Sequence, residues 1–215
     1  MAIRIIIVED HPLMQKGMQM TLQAEADMEV VGLAATAEEA IDMINEQSPD
    51  VAIVDISLPG MSGIELIKVL SSDRDGLRML VVSRHEEELF AERAVRAGAS
   101  GYIMKINAGE QIVDAVRKIA SGGIYLSEKI SSRMLMNLAG SSAVKKMSPY
   151  EMLSDRELSV FRLLGQGKPT REIARRMHIS SKTVDTYKAR IREKMDLADG
   201  SELLQQAVQW VREEE

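Results

Sequence analysis

The chain has 215 residues, of which 45% are hydrophobic and 28% are charged, and its formal net charge is −6. This length is enough for one large or two modest domains with apolar cores. No run approaches the roughly 18 apolar residues of a membrane span, and the N-terminus lacks the pattern of a secretory signal. We therefore expect a soluble, cytoplasmic protein that does not associate with membranes.

The cysteine and histidine content limits the chemistry. The chain has no cysteine, which excludes disulfides, thiolate catalysis and zinc ribbons. Its three histidines are scattered, which leaves little for a transition-metal site. The composition still allows a hard cation with oxygen ligands.

Residues 1–121 alternate five times between strand and helix patterns. Short β-branched runs predict strands over 3–8, 28–34, 51–55, 78–83 and 100–104, and helical periods predict helices over 12–25, 37–47, 63–71, 86–97 and 108–121. Five βα units with short links form an α/β, doubly wound, five-stranded parallel sheet with helices on both faces.

Charged residues stand at the ends of three predicted strands. Glu9 and Asp10 follow the first strand, Asp55 ends the third, and Lys105 follows the fifth. Because the carboxyl ends of parallel strands share one edge of the sheet, we expect these side chains to converge. Three carboxylates this close repel one another unless a cation such as Mg²⁺ neutralises them or a proton stays bound. The arrangement predicts a phosphoryl-accepting aspartate.

Residues 122–215 lack the alternation of strand and helix patterns. Gly122 and Gly123 end the α/β unit, residues 127–138 can form a short helix, and residues 140–149 have linker composition. We therefore predict a linker with a short helix over 122–149. Strand signals are missing from 150–215. A capping box formed by Ser154 and Glu157 begins a series of helices over 155–166, 170–177, 181–195 and 200–213, which predicts a small all-α domain.

The C-terminal region also carries the positive charge. Residues 155–195 contain 11 lysines and arginines against 5 acidic residues, a local net charge of +6, so the rest of the chain carries −12. A basic face on an otherwise acidic protein suggests a polyanion-binding module. A solvated helix surface explains the charge alone equally well.

Helical spacing orients the third helix of this region. At about 100° per residue, Val184, Tyr187, Ile191 and Met195 form one apolar stripe, which we predict to be buried. The opposite face carries small, polar and basic side chains, as expected for a helix in a DNA major groove. Six residues of the two preceding helices are spaced as the core of a helix-turn-helix: Leu158, Phe161, Leu164, Ile173, Ala174 and Met177.

Residues 1–121 resemble the receiver domain of two-component response regulators. The resemblance implies that a sensor histidine kinase phosphorylates Asp55 and that Lys105 pairs with the acceptor. It implies a Mg²⁺ site formed by Glu9, Asp10, Asp55 and the main-chain carbonyl of Ser57. It also implies that Ser83 is a hydroxyl switch and that Tyr102, its aromatic partner, turns inward on phosphorylation.

Residues 150–213 resemble the LuxR-type DNA-binding domain in the segments LSDREL (153–158), TREIA (170–174) and SKTV (181–184). The two halves together resemble a NarL/FixJ-type response regulator, which implies promoter DNA as a partner and a homodimer on activation. The resemblance places base contacts at Asp185, Thr186 and Ala189, and candidate backbone contacts at Lys182, Thr183, Tyr187, Lys188, Arg190 and Lys194.

Two alternatives stay open at this level. In the first, the chain is a phosphorelay or docking protein whose helical domain binds protein. In the second, it is an enzyme that uses the Asp55 site on external phosphoesters. Our interpretation is a transcription factor that catalyses only its own phosphorylation and dephosphorylation.

Overall fold

The computed structural model describes residues 2–73, 76–85, 87–138 and 149–214. These residues divide into two compact units, Met1–Ser141 and Ser142–Glu215. Within the described residues, no helix combines the length and the hydropathy needed to cross a bilayer.

The first unit alternates strands and helices in the predicted order. Its elements are β1 Ile3–Val8, α1 Pro12–Gln23, β2 Met28–Ala34, α2 Ala37–Gln47, β3 Val51–Val54, α3 Gly63–Asp73, β4 Arg78–Ser83, α4 Glu87–Ala97, β5 Gly101–Met104, α5 Ala108–Ala120 and α6 Glu128–Leu138. A 3₁₀ turn, Lys105–Asn107, joins β5 to α5. The sequence patterns did not reveal this turn.

The five strands form one parallel sheet in the order β2-β1-β3-β4-β5. All four residues of β3, and Ile5–Val8 of β1, are buried, which explains why these strands are continuous apolar runs rather than alternating ones. α1 and α5 pack together on one side of the sheet, while α2, α3 and α4 pack in sequence on the other. The predicted doubly wound fold is confirmed.

The outer edge of β5 is covered by the chain that follows α5. Gly101 and Tyr125 form a parallel bridge, in which Tyr102 N donates to Tyr125 O at 2.9 Å and Tyr125 N donates to Ser100 O at 3.0 Å. α6 then packs against α4. The part of 122–149 that lies between residues 122 and 138 is therefore packed on the α/β unit.

The second unit is helical. It consists of a 3₁₀ turn, Pro149–Met152, followed by α7 Asp155–Gly165, α8 Thr170–Arg176, α9 Ser181–Lys194 and α10 Gly200–Glu214. α7 packs against α9 and α10, and α8 packs against α9. All six residues predicted to form the helix-turn-helix core are buried. The Ser154 and Glu157 side chains form the predicted capping box at the start of α7.

Candidate functional site

Three carboxylates meet at the carboxyl edge of the sheet. β1 and β3 are parallel neighbours in which Val8 lies beside Val54, so the residues that follow these strands emerge together. Glu9 is 1% and Asp55 3% exposed. Ligand atoms of Glu9, Asp10, His11 and Asp55 all lie within 4.8 Å of one another. The convergence expected from the sequence is present.

Lys105 is the cation that faces this cluster. It directly follows β5, and its Nζ lies 2.8 Å from Asp55 Oδ2 and 2.6 Å from Glu9 Oε2. The Lys105 side chain is itself almost fully buried. The Lys105 ammonium therefore contacts two carboxylates in a poorly solvated position.

The electrostatics of the cluster show this imbalance. Burial and the negative charge of Asp55 raise the pKa of Glu9, and the contacts with Lys105 only partly oppose that rise. Asp55 Oδ1 is buried and accepts no hydrogen bond from the described residues. A buried oxygen without a donor, beside other hard oxygen ligands, fits a site for a divalent cation or for an incoming electrophile.

His11 belongs to the cluster, although the sequence favours a role at the start of α1 over metal binding for this residue. It precedes α1, and its Nδ1 lies 3.0 Å from Glu9 Oε1 and 2.7 Å from Asp10 Oδ1. The only available signal was its position next to the acidic pair. His11 contributes a donor or ligand nitrogen at the solvent side of the site.

Ser83 and Tyr102 both contact the loop that follows β4. Ser83 ends β4 and is fully buried, and its Oγ accepts a hydrogen bond from His85 N at 3.2 Å. Tyr102 lies in β5, is 2% exposed, and donates from its hydroxyl to His85 O at 2.8 Å. The tyrosine ring is thus turned inward.

The sequence favours an exposed loop residue without a chemical role at His85, but the structure places it, half-buried, in the site. Its Nε2 lies 2.9 Å from Ser57 Oγ, in the loop after Asp55. Its ring packs on Phe90 of α4, with 4.4 Å between the ring centroids. His85 therefore contacts the loop that follows Asp55 as well as Ser83 of β4 and Tyr102 of β5.

α9 presents one buried and one exposed face. Ser180 caps the helix by accepting from Thr183 N at 3.0 Å. Val184 and Ile191 are fully buried, whereas Tyr187 and Met195 are half-buried. Six of the nine predicted DNA contacts are exposed: Lys182, Asp185, Thr186, Ala189, Arg190 and Lys194.

Two predicted contact lysines of α9 also hold the helical unit together. Lys188 Nζ donates to Thr170 Oγ1 at the start of α8, and it lies 3.7 Å from Asp185 Oδ1. Lys194 Nζ lies 2.6 Å from Glu157 Oε2 of α7. Their charges are therefore shared between internal contacts and solvent.

Comparisons with known proteins agree with both halves of this description. The family described as "Response regulator receiver domain" matches residues 5–117, and "Bacterial regulatory proteins, luxR family" matches residues 151–207. The oxygen regulatory protein NreC of Staphylococcus carnosus is 34% identical over 210 residues, which cover 95% of this chain and 96% of NreC.

Two solved structures have the same fold over nearly the whole chain. The response regulator ChrA of a heme-sensing two-component system is 28% identical, with 97% of this chain and 98% of ChrA covered and a TM-score of 0.52. The response regulator RcsB in complex with DNA is 24% identical, with 95% and 97% covered and a TM-score of 0.58.

The chain belongs to the NarL/FixJ-type two-component response regulators, in which a receiver domain precedes a LuxR-type helix-turn-helix domain. Proteins of this family are transcription regulators and, in general, not enzymes. This assignment favours DNA binding over the protein-docking alternative for the helical unit.

Proposed function

We propose that Asp55 accepts a phosphoryl group from a sensor histidine kinase, and that the phosphorylated chain binds promoter DNA as a homodimer through α9. The observation that carries the first step is Asp55 Oδ1, a buried oxygen with no hydrogen-bond donor among the described residues, beside the Lys105 ammonium. The proposal places the protein in the cytoplasm, where kinase and DNA are both accessible.

The side chains around Asp55 support in-line phosphoryl transfer. Asp55 Oδ1 forms the new bond to phosphorus while the bond from phosphorus to the donor nitrogen or acyl oxygen breaks, and the donor leaves with that electron pair. Lys105 faces Asp55 Oδ2 and stays close to the charge that the transferred group brings. Mg²⁺ held by Glu9, Asp10, Asp55 and the Ser57 carbonyl would cancel the repulsion between the phosphoryl group and the carboxylates.

In this proposal, Ser83 and Tyr102 respond to the phosphorylation of Asp55. Ser83 ends β4, which pairs with the strand that Asp55 follows. Its hydroxyl can donate a hydrogen bond to a phosphoryl oxygen. Tyr102 is held inward by the carbonyl of the loop that Ser83 also contacts. A preference of a few kcal/mol for this packing is enough to shift the population of the receiver.

The exposed face of α9 supports DNA binding. We propose that Asp185, Thr186 and Ala189 face base edges, and that the surrounding polar and basic side chains contact phosphates: Lys182, Thr183, Tyr187, Lys188, Arg190 and Lys194. One helix reads only a few base pairs, so a dimer on paired half-sites supplies the remaining affinity.

We propose the corresponding domain limits as well. Residues 1–121 hold the phosphoacceptor site, 122–149 connect the two activities, and 150–215 bind DNA. The fold of 1–121 carries every side chain of the site, and the helical unit carries every proposed DNA contact.

Asp55→Asn tests the acceptor. Because the amide is not a nucleophile for phosphorus, the variant should take up no label from radioactive acetyl phosphate in the presence of Mg²⁺, whereas the wild-type chain is labelled. Asp42→Asn, an exposed aspartate on α2, is the control and should label normally. Persistent labelling of Asp55→Asn would refute the assignment, and multiple turnover on a small phosphoester would favour an enzyme.

Two substitutions on α9 test the DNA proposal in the full chain with beryllofluoride. Lys182→Ala should weaken binding to all sequences and lower the slope of log K against log salt by about 1, because one phosphate contact is lost. Asp185→Ala should instead change the preferred sequence in a selection from random DNA. Lys16→Ala, on α1, is the control. Equal losses on every sequence for both α9 variants would contradict this division.

A further inference from the structure

The chain between α5 and the end of α6 is attached to β5 by main-chain hydrogen bonds. We call residues 122–138 the strap. Tyr102 N donates to Tyr125 O, and Tyr125 N donates to Ser100 O, so the strap pairs with the strand that carries Tyr102. Gly101 permits the close approach, since a Cβ there would lie 2.9 Å from Tyr125 O.

The strap is attached a second time, at the first turn of α4. Ser127 N, at the start of α6, donates to Glu87 Oε1 at 2.9 Å. Lys129 Nζ lies 2.5 Å from Glu88 Oε1, and Arg133 Nη2 donates to Glu88 O at 2.7 Å. Ile130 is fully buried beneath these polar contacts.

Both attachment points are parts of the switch. The first turn of α4 follows the loop in which His85 contacts Ser83 and Tyr102. The strand β5 carries Tyr102 itself. Hydrogen bonds thus run from Ser83 to His85, from His85 to Tyr102, from Tyr102 to Tyr125, and from the strap to the first turn of α4. The packing of the His85 ring on Phe90 joins α4 back to the loop.

The chemistry of these contacts suits a responsive element better than a purely structural one. The ion pair of Lys129 with Glu88 is largely exposed and adds little stability. The contact of Arg133 depends on where the main-chain carbonyl of Glu88 points, and the Tyr125 contacts depend on the backbone of β5. Small displacements of the loop or the strand therefore change how well the strap is held.

We propose that the strap couples the switch to α6: inward Tyr102 favours the docked strap, and the docked strap favours inward Tyr102. This inference rests on the proposed function, in which phosphorylation of Asp55 selects inward Tyr102. It adds the element that receives the signal, since α6 is the last described helix before the DNA-binding unit. Coupling of this kind is reciprocal, so weakening the strap must weaken the activated state by the same factor.

The test uses the full chain, Mg²⁺ and beryllofluoride. In the wild-type chain, hydrogen exchange should slow in the main chain around Ser83 and His85 and also across Tyr125–Arg133 when beryllofluoride is added. Arg133→Ala removes the contacts with Glu88 O and with Glu92 of α4. The beryllofluoride concentration that gives half of the exchange response around Ser83 and His85, the midpoint, should then rise about fivefold. Lys16→Ala is the control, because Lys16 is an exposed cation on α1 whose side chain contacts Gln19 of the same helix. Its midpoint should equal that of the wild type.

Gly101→Ala provides a second, independent variant. The added methyl group would lie 2.9 Å from both Tyr125 O and Leu80 Cδ1 of β4, so Tyr125 is pushed away from β5 and Leu80 must also shift. The midpoint should therefore rise at least as much as with Arg133→Ala. If the site responds to beryllofluoride while exchange across the strap is unchanged, or if Arg133→Ala behaves as Lys16→Ala does, the strap proposal is overturned and the phosphorylation proposal stands. If exchange around Ser83 and His85 also fails to respond, both proposals are overturned.

Discussion

Glu157 shows how a single residue joins two helices of the DNA-binding unit. Its carboxylate accepts from Ser154 N at 2.7 Å in the capping box of α7 and also binds Lys194 of α9. Burial alone would raise the pKa of Glu157, but the hydrogen bonds from Lys194 and Ser154 outweigh this effect and hold the pKa below its usual value. The ionised form is therefore preferred by the folded unit.

We expect this preference to make the stability of the unit depend on pH. Because the pKa is lower in the folded state, the contribution of Glu157 is complete above the unfolded pKa of about 4.3 and is lost as the pH falls through the folded value. Glu157→Gln should cost about 1 kcal/mol at pH 7, a modest value because Lys194 is 40% exposed, and the difference from wild type should vanish in acid.

The chain's single tryptophan provides the measurement for this prediction. Trp210 lies in the helical unit, in contact with Phe161 and Tyr150, so its fluorescence reports unfolding of that unit alone. Urea titrations of the full chain at pH 7 and pH 3.5 should show a smaller difference between Glu157→Gln and the wild type at the acidic pH. Glu172→Gln, which removes an ion pair within α8, is the control. A difference that stays constant between the two pH values would contradict the role given to Glu157.

Some residues of the phosphoacceptor site could be predicted from the sequence pattern, and others could not. Asp55, Glu9, Asp10 and Lys105 stand at the ends of apolar runs, and parallel pairing forces such ends together, so their convergence follows from the sequence pattern. His11 and His85 act through loop conformation, which has no periodic signal.

At the scale of elements, α7 and α10 of the helical unit approach each other closely at one glycine. Gly165, the last residue of α7, lies so close to Ala207 O and Val211 of α10 that no side chain fits between them. The capping box and the apolar spacing predicted both helices, but the point where they cross was not predictable, since a glycine at a helix end is equally consistent with an ordinary C-terminal stop.

Gly165→Ala should destabilise the helical unit by about 1–3 kcal/mol, because the added methyl group forces the two helices apart. The measurement is again the urea midpoint reported by Trp210. Gly200→Ala, at the start of α10, is the matched control, since a Cβ there meets no other atom within 4 Å. Equal midpoints for the two variants would show that the helices adjust without cost.

The uneven distribution of charge matters at the scale of the whole molecule. The net charge of +6 over residues 155–195, against −12 elsewhere, concentrates attraction for DNA in one small region of an acidic protein. Two half-sites can both be occupied by this basic region only if two chains associate. DNA affinity and self-association should therefore rise together.

Sedimentation velocity of the full chain checks this link. With Mg²⁺ and beryllofluoride, the wild-type chain should shift from monomer to dimer, and Asp55→Asn should stay monomeric under the same conditions. Asp42→Asn should dimerise as the wild type does. A wild-type chain that remains monomeric at concentrations where it binds paired half-sites would contradict phosphorylation-promoted dimerisation.

The pairing of Tyr125 with β5 also bears on solubility. A strand at the edge of a sheet exposes unpaired main-chain groups, which readily join the edge of another molecule. A fragment that ends at residue 121 would keep all the phosphoacceptor side chains but leave this edge open, whereas a fragment that ends at residue 138 keeps it covered. Oligomers of the shorter fragment would arise from edge-to-edge aggregation and would carry no information about activation.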